Sequence, residues 1–560
     1  MNTPITEPTW VSAVVTWISV LLAVSAGGYV LAGLLAARTR GSLIDGFVGA
    51  AKGALDLPRD LMALSFRRLW AIAYHSILES IRRRLLLAVF GVLIVIFMFG
   101  GWFLPSRPTE QVKVYVSFVL LASTLIVLPA GGLLACLSLP SDIQDKTIHT
   151  VVTKPVRRLE IIIGRILGLT VVATAILTVM GAMSYIYMRR SVDGSLAELR
   201  QKMGEAKQQG DVKHETELKD SLDQIENKLI ARVPVYGYDL TGPVINVGYE
   251  TTYRYYIAGN STDAAVWKFR DVPTSRLLAL KSIPLEMTFS VFRTTKGQVG
   301  RGVLAQITYA NPKTERMITD YPFEVREYYV DKQSLDNRPD AGRTYAEGEK
   351  ILPEPPADPL SWLLDKSDGE MTIIVRCLSS SQYLGMARPD LYILIDTANF
   401  GLNFAKGVVG VWLRVFLIVS VAVMFSTFLS GYVAMLATAA VFAGGLCMNY
   451  LRGLAAGKSE GGGPFEALQR LIKHENLQRP LDPGIWTDLT KGVDGALQFI
   501  LQGLTYVLPD LGVFNTGPLV ANGFDIGIGV LLVNLVTALG YVIPFTIAGY
   551  FFLQSREIAR

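Results

Sequence analysis

The sequence predicts an α-helical polytopic membrane protein, with about seven transmembrane helices, an inserted extracytoplasmic domain made mainly of β-strands, and a short helical stalk. Of its 560 residues, 51% are hydrophobic and only 18% are charged, whereas a typical soluble domain carries about 25% charged residues. Several apolar runs are long enough to cross a bilayer. The middle of the chain instead alternates polar and apolar residues, as strands do.

The charged residues and the potential metal ligands exclude several function classes. The net charge is +5, but the basic residues flank apolar runs and form no stripe with aromatics, so nucleic acid is not an expected partner. The three cysteines, Cys136, Cys377 and Cys447, have no disulfide or metal spacing. The four histidines are far apart in the sequence. We therefore predict no metal and no cofactor.

The first apolar run, residues 11–37, is predicted to be an uncleaved anchor helix within an N-terminal segment 1–40. It is too long for a signal-peptide core and lacks a basic region before it. Arg38 and Arg40 follow it, while the first ten residues carry only Glu7. The positive-inside rule therefore places the N-terminus outside.

Residues 41–84 are predicted to form a cytoplasmic linker and an amphipathic helix. Apolar residues recur at steps of three and four from position 59: Met62, Phe66, Leu69, Ala73, Ile77 and Ile81. His75 and Glu79 are four residues apart and can pair on the polar face. A basic amphipathic helix before a span is typical of an interfacial element; a plain cytoplasmic linker helix is the alternative.

Residues 85–190 are predicted to form the first transmembrane half, with spans at Leu85–Leu104, Val114–Leu139 and Ile161–Met188. Between the last two lies a short polar segment, 140–160, which Pro140 and Ser141 open. Around it, five basic residues outnumber three acidic ones, which places it in the cytoplasm: Lys146, Lys154, Arg157, Arg158 and Arg165 against Asp142, Asp145 and Glu160.

The string DKTIHTVVTKPVRRLEIIIGR resembles the intracellular coupling segment of type-2 ABC transporter permeases. That family has an acidic residue, a Thr, a short apolar run, a (K/R)P element with basic residues and a G-(K/R) pair. Here these are Asp145, Thr147, Ile148–Val152, Lys154 to Arg158 and Gly164-Arg165. The resemblance covers roughly residues 59–190 and 400–560, including the ending FFLQSREIAR. The alternative interpretation is an ordinary basic loop that follows the positive-inside rule.

The resemblance implies the permease subunit of an ABC transporter, in which a separate ATPase subunit docks on this segment. The implied ATPase-coupling residues are Asp142, Asp145, Lys146, Thr147, Lys154, Pro155, Arg157, Arg158 and Glu160. The amphipathic helix corresponds to the family's elbow helix, with Arg67, Arg68, His75, Glu79 and Arg82. Two permease chains face each other in the family, so a homodimer or a pair with a paralogue is expected. No catalytic constellation is present, so the chain itself is not expected to be an enzyme.

The middle of the chain is predicted to lie outside the membrane. Residues 191–231 are rich in Glu, Lys, Gln and Leu and predict a helical stalk broken near Gly204 and Gly210. Residues 232–404 predict a mainly antiparallel β-sandwich or jelly roll, with strands at Val244–Val247, Leu285–Phe292, Val303–Tyr309, Phe323–Tyr329 and Met371–Cys377. Nothing in this domain indicates its function.

Residues 405–560 are predicted to form the second transmembrane half. Its spans are Val408–Leu429, Gly431–Tyr450 and Ile528–Leu553, with a polar outside loop at 451–495 and a re-entrant or interfacial segment at 493–526. The basic tail places the C-terminus in the cytoplasm. Arg414 lies inside the first of these spans and either extends to the headgroups or lines a translocation path.

The stretch Gly453–Ser459 is similar to a nucleotide-binding P-loop but has three residues between its glycines instead of four, and no strand before it. Nucleotide binding is therefore not predicted, and energy must come from a separate ATPase. Two alternatives to a transporter remain. One is a mechanotransmitter that moves the extracytoplasmic domain without substrate passage, and the other is an anchored receptor or scaffold. Each is a multi-pass protein of an inner or plasma membrane.

Overall fold

In the structure, a computed structural model, the chain folds into two compact units. The structure describes residues 56–82, 111–144, 156–209, 229–241, 255–293, 302–325, 330–457 (except 381), 462–474 and 484–555, with short helical pieces within 14–34 and 215–225 and the single residues 91 and 476. One unit comprises Ile230–Asn399, and the other contains the helices on both sides of it.

Within the described residues, three long helices precede the β-rich unit. They are α1 (Phe66–Arg82), α2 (Gln111–Gln144) and α3 (Arg158–Gln209), and residues 56–62 are also helical. Helix α1 is amphipathic, whereas α2 and the first half of α3 are apolar on all sides, which is typical of helices buried in a bilayer.

Helix α3 is continuous over 52 residues and passes through Gly204, where the sequence predicted a break. A glycine costs a helix only about 1 kcal/mol relative to alanine. Neighbouring i,i+4 pairs favour the helix, with Lys202 Nζ 2.7 Å from Glu198 and Arg189 Nε 3.5 Å from Asp193. At a rise of 1.5 Å per residue, α3 is roughly 78 Å long. It therefore extends well beyond the ~30 Å hydrocarbon core of a bilayer.

The β-rich unit has fifteen described strands, two short α-helices and a 3₁₀ helix at Arg388–Asp390. In chain order they are β1 (Ile230–Tyr236), β2 (Asp239–Thr241), β3 (Tyr255–Ala258), β4 (Ala265–Phe269), α4 (Thr274–Leu280), β5 (Ser282–Thr288), β6 (Ser290–Arg293), β7 (Val303–Ala310), β8 (Arg316–Thr319), β9 (Phe323–Val325), β10 (Val330–Asp336), β11 (Thr344–Glu347), β12 (Lys350–Ile351), α5 (Pro359–Leu364), β13 (Met371–Cys377), β14 (Gln382–Met386) and β15 (Leu391–Asn399).

These strands form three antiparallel sheets, ordered β1-β15-β5-β10, β12-β11-β8-β7-β13-β4-β2 with β9 beside β7, and β3-β14-β6. The predicted strand Leu285–Phe292 is two strands, because the chain passes from one sheet to another at the buried Phe289. The predicted strand Met371–Cys377 coincides with β13. The core includes the fully buried Trp267 and Tyr309. Predicted strand residues 244–247 and 326–329 lie outside the described part of the chain.

Seven helices are described after the β-rich unit. They are α6 (Phe400–Ser426), α7 (Gly431–Leu446), α8 (Met448–Ala455), α9 (Pro464–Lys473), α10 (Ile485–Val507), α11 (Gly517–Ala521) and α12 (Ile528–Ser555). Helix α6 begins at Phe400, directly after β15, and not near residue 405. The region predicted as a polar loop, 451–495, contains α9 and parts of α8 and α10. The stretch from Gly453 that is similar to a P-loop begins inside α8, so a helix and not a strand precedes it.

Among the described residues, four helices are long and apolar enough to cross a membrane: Val112–Gln144, Arg158–Gln208, Phe400–Ser426 and Ile528–Gln554. Helices α7 and α8, bent by 75°, would together make a fifth. The chain is therefore a helical membrane protein with a separate β-rich unit. The predicted spans at 11–37 and 85–104 lie largely outside the described residues. Within the first, Gly28 approaches α12, since a Cβ placed on it would lie 3.1 Å from the Ala548 Cβ.

Helix α6 forms the centre of the helical unit. Within the described residues, 72% of its apolar window is buried, against 56% or less for the other three spans. Glycines on α2 allow close approach, because a Cβ on Gly131 or Gly132 would lie 3.4 Å from Val419 or Ile418 of α6. Helix α6 thus contacts the protein on nearly all sides.

Candidate functional site: a charge cluster beside segment 145–155

Eight charged residues converge where α2 ends and α3 begins, on either side of segment 145–155. We call them the charge cluster: Asp60, Arg68, Glu79, Asp142, Arg157, Arg158, Glu160 and Arg165. Four carboxylates face four guanidinium groups, so the cluster is neutral overall. Charges buried in a protein are tolerated when they are paired in this way.

Glu160, in the first turn of α3, is fully buried and is the most completely bonded member. Its carboxylate accepts hydrogen bonds from the backbone N–H groups of Ser65 and Arg157, both at 3.0 Å. It also accepts from Arg68 Nη2 at 2.8 Å and Arg68 Nε at 3.0 Å. An acidic residue is favourable at a helix N-terminus. Glu160 therefore fixes α3 to α1 and to the turn before α1.

Asp60 joins the start of α3 to the last helix. Its two oxygens accept from Arg157 Nη1 at 2.5 Å and from the Tyr550 hydroxyl of α12 at 3.0 Å. Beside it, Arg158 Nη1 donates to the backbone carbonyl of Gln554 at 2.9 Å. Both arginines of the predicted coupling motif thus hold α3 to neighbouring parts of the chain.

Arg165, two turns into α3, joins this helix to α2. It is 5% exposed, forms an ion pair with Asp142 and donates to the Ser138 hydroxyl. Its Nη1 lies 3.9 Å from Glu79 of α1. Arg165 therefore connects three helices through charge-assisted contacts, which are the stronger class of hydrogen bond.

Two glycines let α1 approach α3 closely. A Cβ on Gly164 would lie 2.8 Å from the Ile72 Cβ, and one on Gly168 would lie 2.4 Å from the Ala73 carbonyl oxygen. The facing side of α1 carries small buried residues, Ala73 and Ser76. Spacing small residues by four positions is a typical way for membrane helices to pack. The contact makes α1 and α3 a single packed element.

This packing changes which face of α1 is buried. Of the predicted apolar stripe, Leu69 and Ala73 are buried, but Met62, Phe66 and Ile81 are exposed by half or more. The aromatic residues Trp70 and Tyr74, which lie off the stripe, are exposed to the same degree. Exposed aromatics on a helix that packs against a span are typical of a membrane interface.

The polar residues of α1 are divided between the charge cluster and the surface. Arg67, His75 and Arg82 are exposed. Glu79 contacts Arg165 in place of its predicted partner, and His75 has no ion-pair partner among the described residues. The pKa of Arg68 is raised, chiefly by its hydrogen bond to Glu160.

Asp145, Lys146, Thr147, Lys154 and Pro155 lie outside the described residues, so the structure does not place the centre of the motif. The role of the nine residues as ATPase contacts stays a prediction. What the structure adds is that Asp142, Arg157, Arg158 and Glu160, at the two ends of the motif, are bonded to other helices.

Sequence reasoning missed Asp60, Tyr550 and the pair Gly164 and Gly168. The glycine pair had a readable signal, G-x-x-x-G within an apolar run. Asp60 and Tyr550 had none, because they are 490 positions apart and only tertiary folding brings them together.

Arg414 lies elsewhere, near the middle of α6, and is only 6% exposed. Its two predicted roles, extension to the headgroups and lining of a translocation path, both stay predictions. Its Nη1 donates to the Thr124 hydroxyl of α2 at 3.3 Å. An intramembrane charge with so few contacts is a second candidate site.

No family model, curated protein or solved structure matches this chain. Within the described residues, no group of three or more His, Cys, Asp or Glu side chains could hold a metal ion. The two candidate sites and the sequence motif are therefore the features that bear on function.

Proposed function

We propose that the chain is the permease subunit of an ABC transporter, coupling ATP hydrolysis by a separate ATPase subunit to export or another transmembrane movement. In this proposal it crosses an inner or plasma membrane seven times, with its N-terminus outside and its C-terminus in the cytoplasm. The charge cluster then lies at the cytoplasmic surface, where an ATPase can reach segment 145–155.

One observation carries the proposal: both ends of that segment are tied into the helical unit by charged contacts. On the α2 side, Asp142 pairs with Arg165. On the α3 side, Glu160 is bonded to Arg68 and Arg157 to Asp60. A force on the segment would therefore reach α1, α2, α3 and α12 together. An ATPase biases the permease only if it binds two arrangements of these helices with different affinity.

A second permease chain, a homodimer partner or a paralogue, and membrane lipid complete the proposed assembly. Large apolar side chains remain on the surface of the helical unit, including Tyr432 on α7 and Trp486 and Phe499 on α10, each more than 70% exposed. Such surfaces require lipid or another protein around them.

The test is co-purification of the tagged chain from its native membrane in mild detergent. We expect a P-loop ATPase to co-purify with the wild-type chain and to be lost from Lys146→Glu/Lys154→Glu. The matched control is Lys202→Glu/Lys207→Glu, which reverses two exposed lysines on the distal half of α3 and should leave the ATPase bound. Reversing Arg157 and Arg158 is less informative, because they bond to Asp60 and to Gln554.

Absence of an ATPase from the wild-type preparation would contradict the proposal and favour an anchored receptor or scaffold. Equal loss from both double variants would show that the segment has no special role.

Mechanotransmission is the second candidate, favoured by the unbroken helix α3. It runs from Glu160 in the charge cluster to Gln209, roughly 75 Å away, and can transmit movement as a rigid lever. Spin labels at Lys207 and at the exposed Tyr432 of α7 test this idea. An ATP-dependent change in their separation without any transported substrate would support transmission, and an unchanged separation would exclude it.

A further inference from the structure

Arg414 is a buried cation whose contacts within the described protein are incomplete. Its Nη1 donates a hydrogen bond to Thr124 Oγ1, at a long 3.3 Å. Its buried Nε has no hydrogen-bond partner among the described residues. Thr124 itself donates to the Leu120 carbonyl at 2.9 Å, so its oxygen serves as an acceptor. A buried charge left incomplete is costly, and a partner at this place would remove that cost.

The position of the guanidinium follows from the packing of α2 against α6. A Cβ on Gly407 would lie 3.4 Å from Leu120, and one on Gly131 would lie 3.6 Å from Val415. Thr124 is therefore level with Gly410, one turn before Arg414. Long helical side chains lean toward the helix N-terminus, and the bond to Thr124 shows that Arg414 does so. Its guanidinium thus lies over the turn of Gly410.

A second incomplete polar group faces the same turn. Thr516, in the segment between α10 and α11, is 3% exposed, and its Oγ1 has no hydrogen-bond partner among the described residues. A Cβ on Gly410 would lie 2.5 Å from this oxygen and 2.9 Å from the Phe514 carbonyl. That carbonyl already accepts from the Thr516 N–H at 3.0 Å. Gly410 therefore lets the segment at Thr516 pack closely against α6, on the helix face that also carries Arg414.

The charges nearby leave one positive charge in excess. Asp510 is 7% exposed and attracts Arg414 electrostatically. Its carboxylate, however, pairs with Arg452 at 2.6 Å and accepts from the Gly512 N–H at 2.9 Å. Two arginines against one aspartate give a net charge of +1. The missing partner is therefore an anion, since water would leave the charge uncompensated.

We propose that Arg414, Thr124 and Thr516 form a binding site, beside Gly410, for one singly charged anionic group. The Arg414 Nε–H and the Thr516 hydroxyl donate to it, and Thr124 holds the guanidinium in place. A free monovalent anion and the phosphate of an acidic lipid share this chemistry. The site does not depend on the proposed ATPase, so either proposal can fail alone.

The experiment measures the thermal unfolding midpoint of the purified full chain at constant ionic strength while chloride replaces the bulky anion gluconate. We expect the wild-type midpoint to rise on the order of 2 °C and to saturate, as binding to the folded state requires. Arg414→Met should abolish the rise, and Thr516→Val should reduce it. Lys406→Met is the matched control on α6, because Lys406 is paired with Asp525 at 2.8 Å and its loss should preserve the chloride response.

A second arm distinguishes the lipid source. The chain is placed in gluconate in nanodiscs of phosphatidylcholine alone or with phosphatidylglycerol. A rise with phosphatidylglycerol that requires Arg414, in the absence of a chloride response, assigns the site to a lipid headgroup. If neither chloride nor phosphatidylglycerol stabilises the wild type more than Arg414→Met, the proposed site does not exist.

Discussion

Two buried charges in the helical unit have opposite surroundings. Glu160, at the start of α3, accepts hydrogen bonds from two backbone N–H groups and from the Arg68 guanidinium. Arg414, in the middle of α6, has one long bond to Thr124 and an Nε without a partner in the described chain. A buried charge whose hydrogen bonds are all made by the protein holds helices in place. A buried charge with an unused hydrogen-bond donor can instead bind a partner. Five predictions test this contrast.

The largest expected effect is at Glu160. Glu160→Ala leaves two backbone N–H groups and Arg68 without their acceptor, which should lower the free energy of unfolding by about 3 kcal/mol. Glu160→Gln keeps the volume and should cost less. Glu198→Ala on the same helix breaks only an exposed pair with Lys202 and should leave the thermal midpoint unchanged. A small effect of Glu160→Ala would mean that the charge cluster does not hold α1 to α3.

The glycines of α3 provide the next test, because the same substitution should have opposite signs at two positions. Gly168→Ala places a Cβ 2.4 Å from the Ala73 carbonyl and should destabilise by about 2 kcal/mol through overpacking. Gly204→Ala meets nothing within 4 Å and should stabilise by up to about 1 kcal/mol through helix propensity. Thermal unfolding in one detergent measures both, and equal effects would contradict the close packing of α1 on α3.

A third buried charge, in the β-rich unit, resembles Glu160 because the protein supplies its hydrogen-bond partners. Glu286 of β5 is 3% exposed, pairs with Arg232 of β1 and accepts from the Tyr392 hydroxyl of β15 at 2.5 Å. Tyr392→Phe removes one donor and should cost about 1 to 2 kcal/mol. The measurement is thermal unfolding followed by tryptophan fluorescence, since Trp267 is fully buried in this unit.

The same tyrosine predicts a pH dependence. Burial, and then the negative charge of Glu286, raise the pKa of Tyr392, and burial raises the pKa of Tyr236 to about 12. The folded state therefore keeps these protons above pH ~10, where the unfolded chain releases them. Stability should fall as pH rises above about 10, and less steeply in Tyr392→Phe. An equal slope in both proteins would exclude Tyr392 as the cause.

The smallest expected effect is at Arg414. In gluconate, Arg414→Met should change the free energy of unfolding by less than about 1 kcal/mol, because replacing an incompletely paired buried charge by an apolar side chain is often neutral or stabilising. Chemical denaturation measures this difference. A loss comparable to that of Glu160→Ala would show that the protein itself completes the bonding of Arg414 and would remove the contrast.

The sequence by itself determined the membrane character of the chain, the position of its β-rich insertion and several strands. Apolar runs and period-two alternation are local patterns that report burial directly. The predicted helix break at Gly204 is wrong, because neighbouring ion pairs and high helix propensity outweigh one glycine. The single strand predicted across Phe289 is also wrong, because the alternation of polar and apolar residues does not show where a chain passes from one sheet to another.

Only the tertiary structure decided which charges meet. Asp60 and Tyr550 are 490 positions apart, and no local pattern pairs them. The sequence marked Arg414 as unusual for a span but could not give its depth of burial, because burial depends on how α2, α6 and the segment at Thr516 pack together. Local chemistry therefore predicts which residues are exceptional, and packing decides whether their charges are completed by the protein or left to bind a partner.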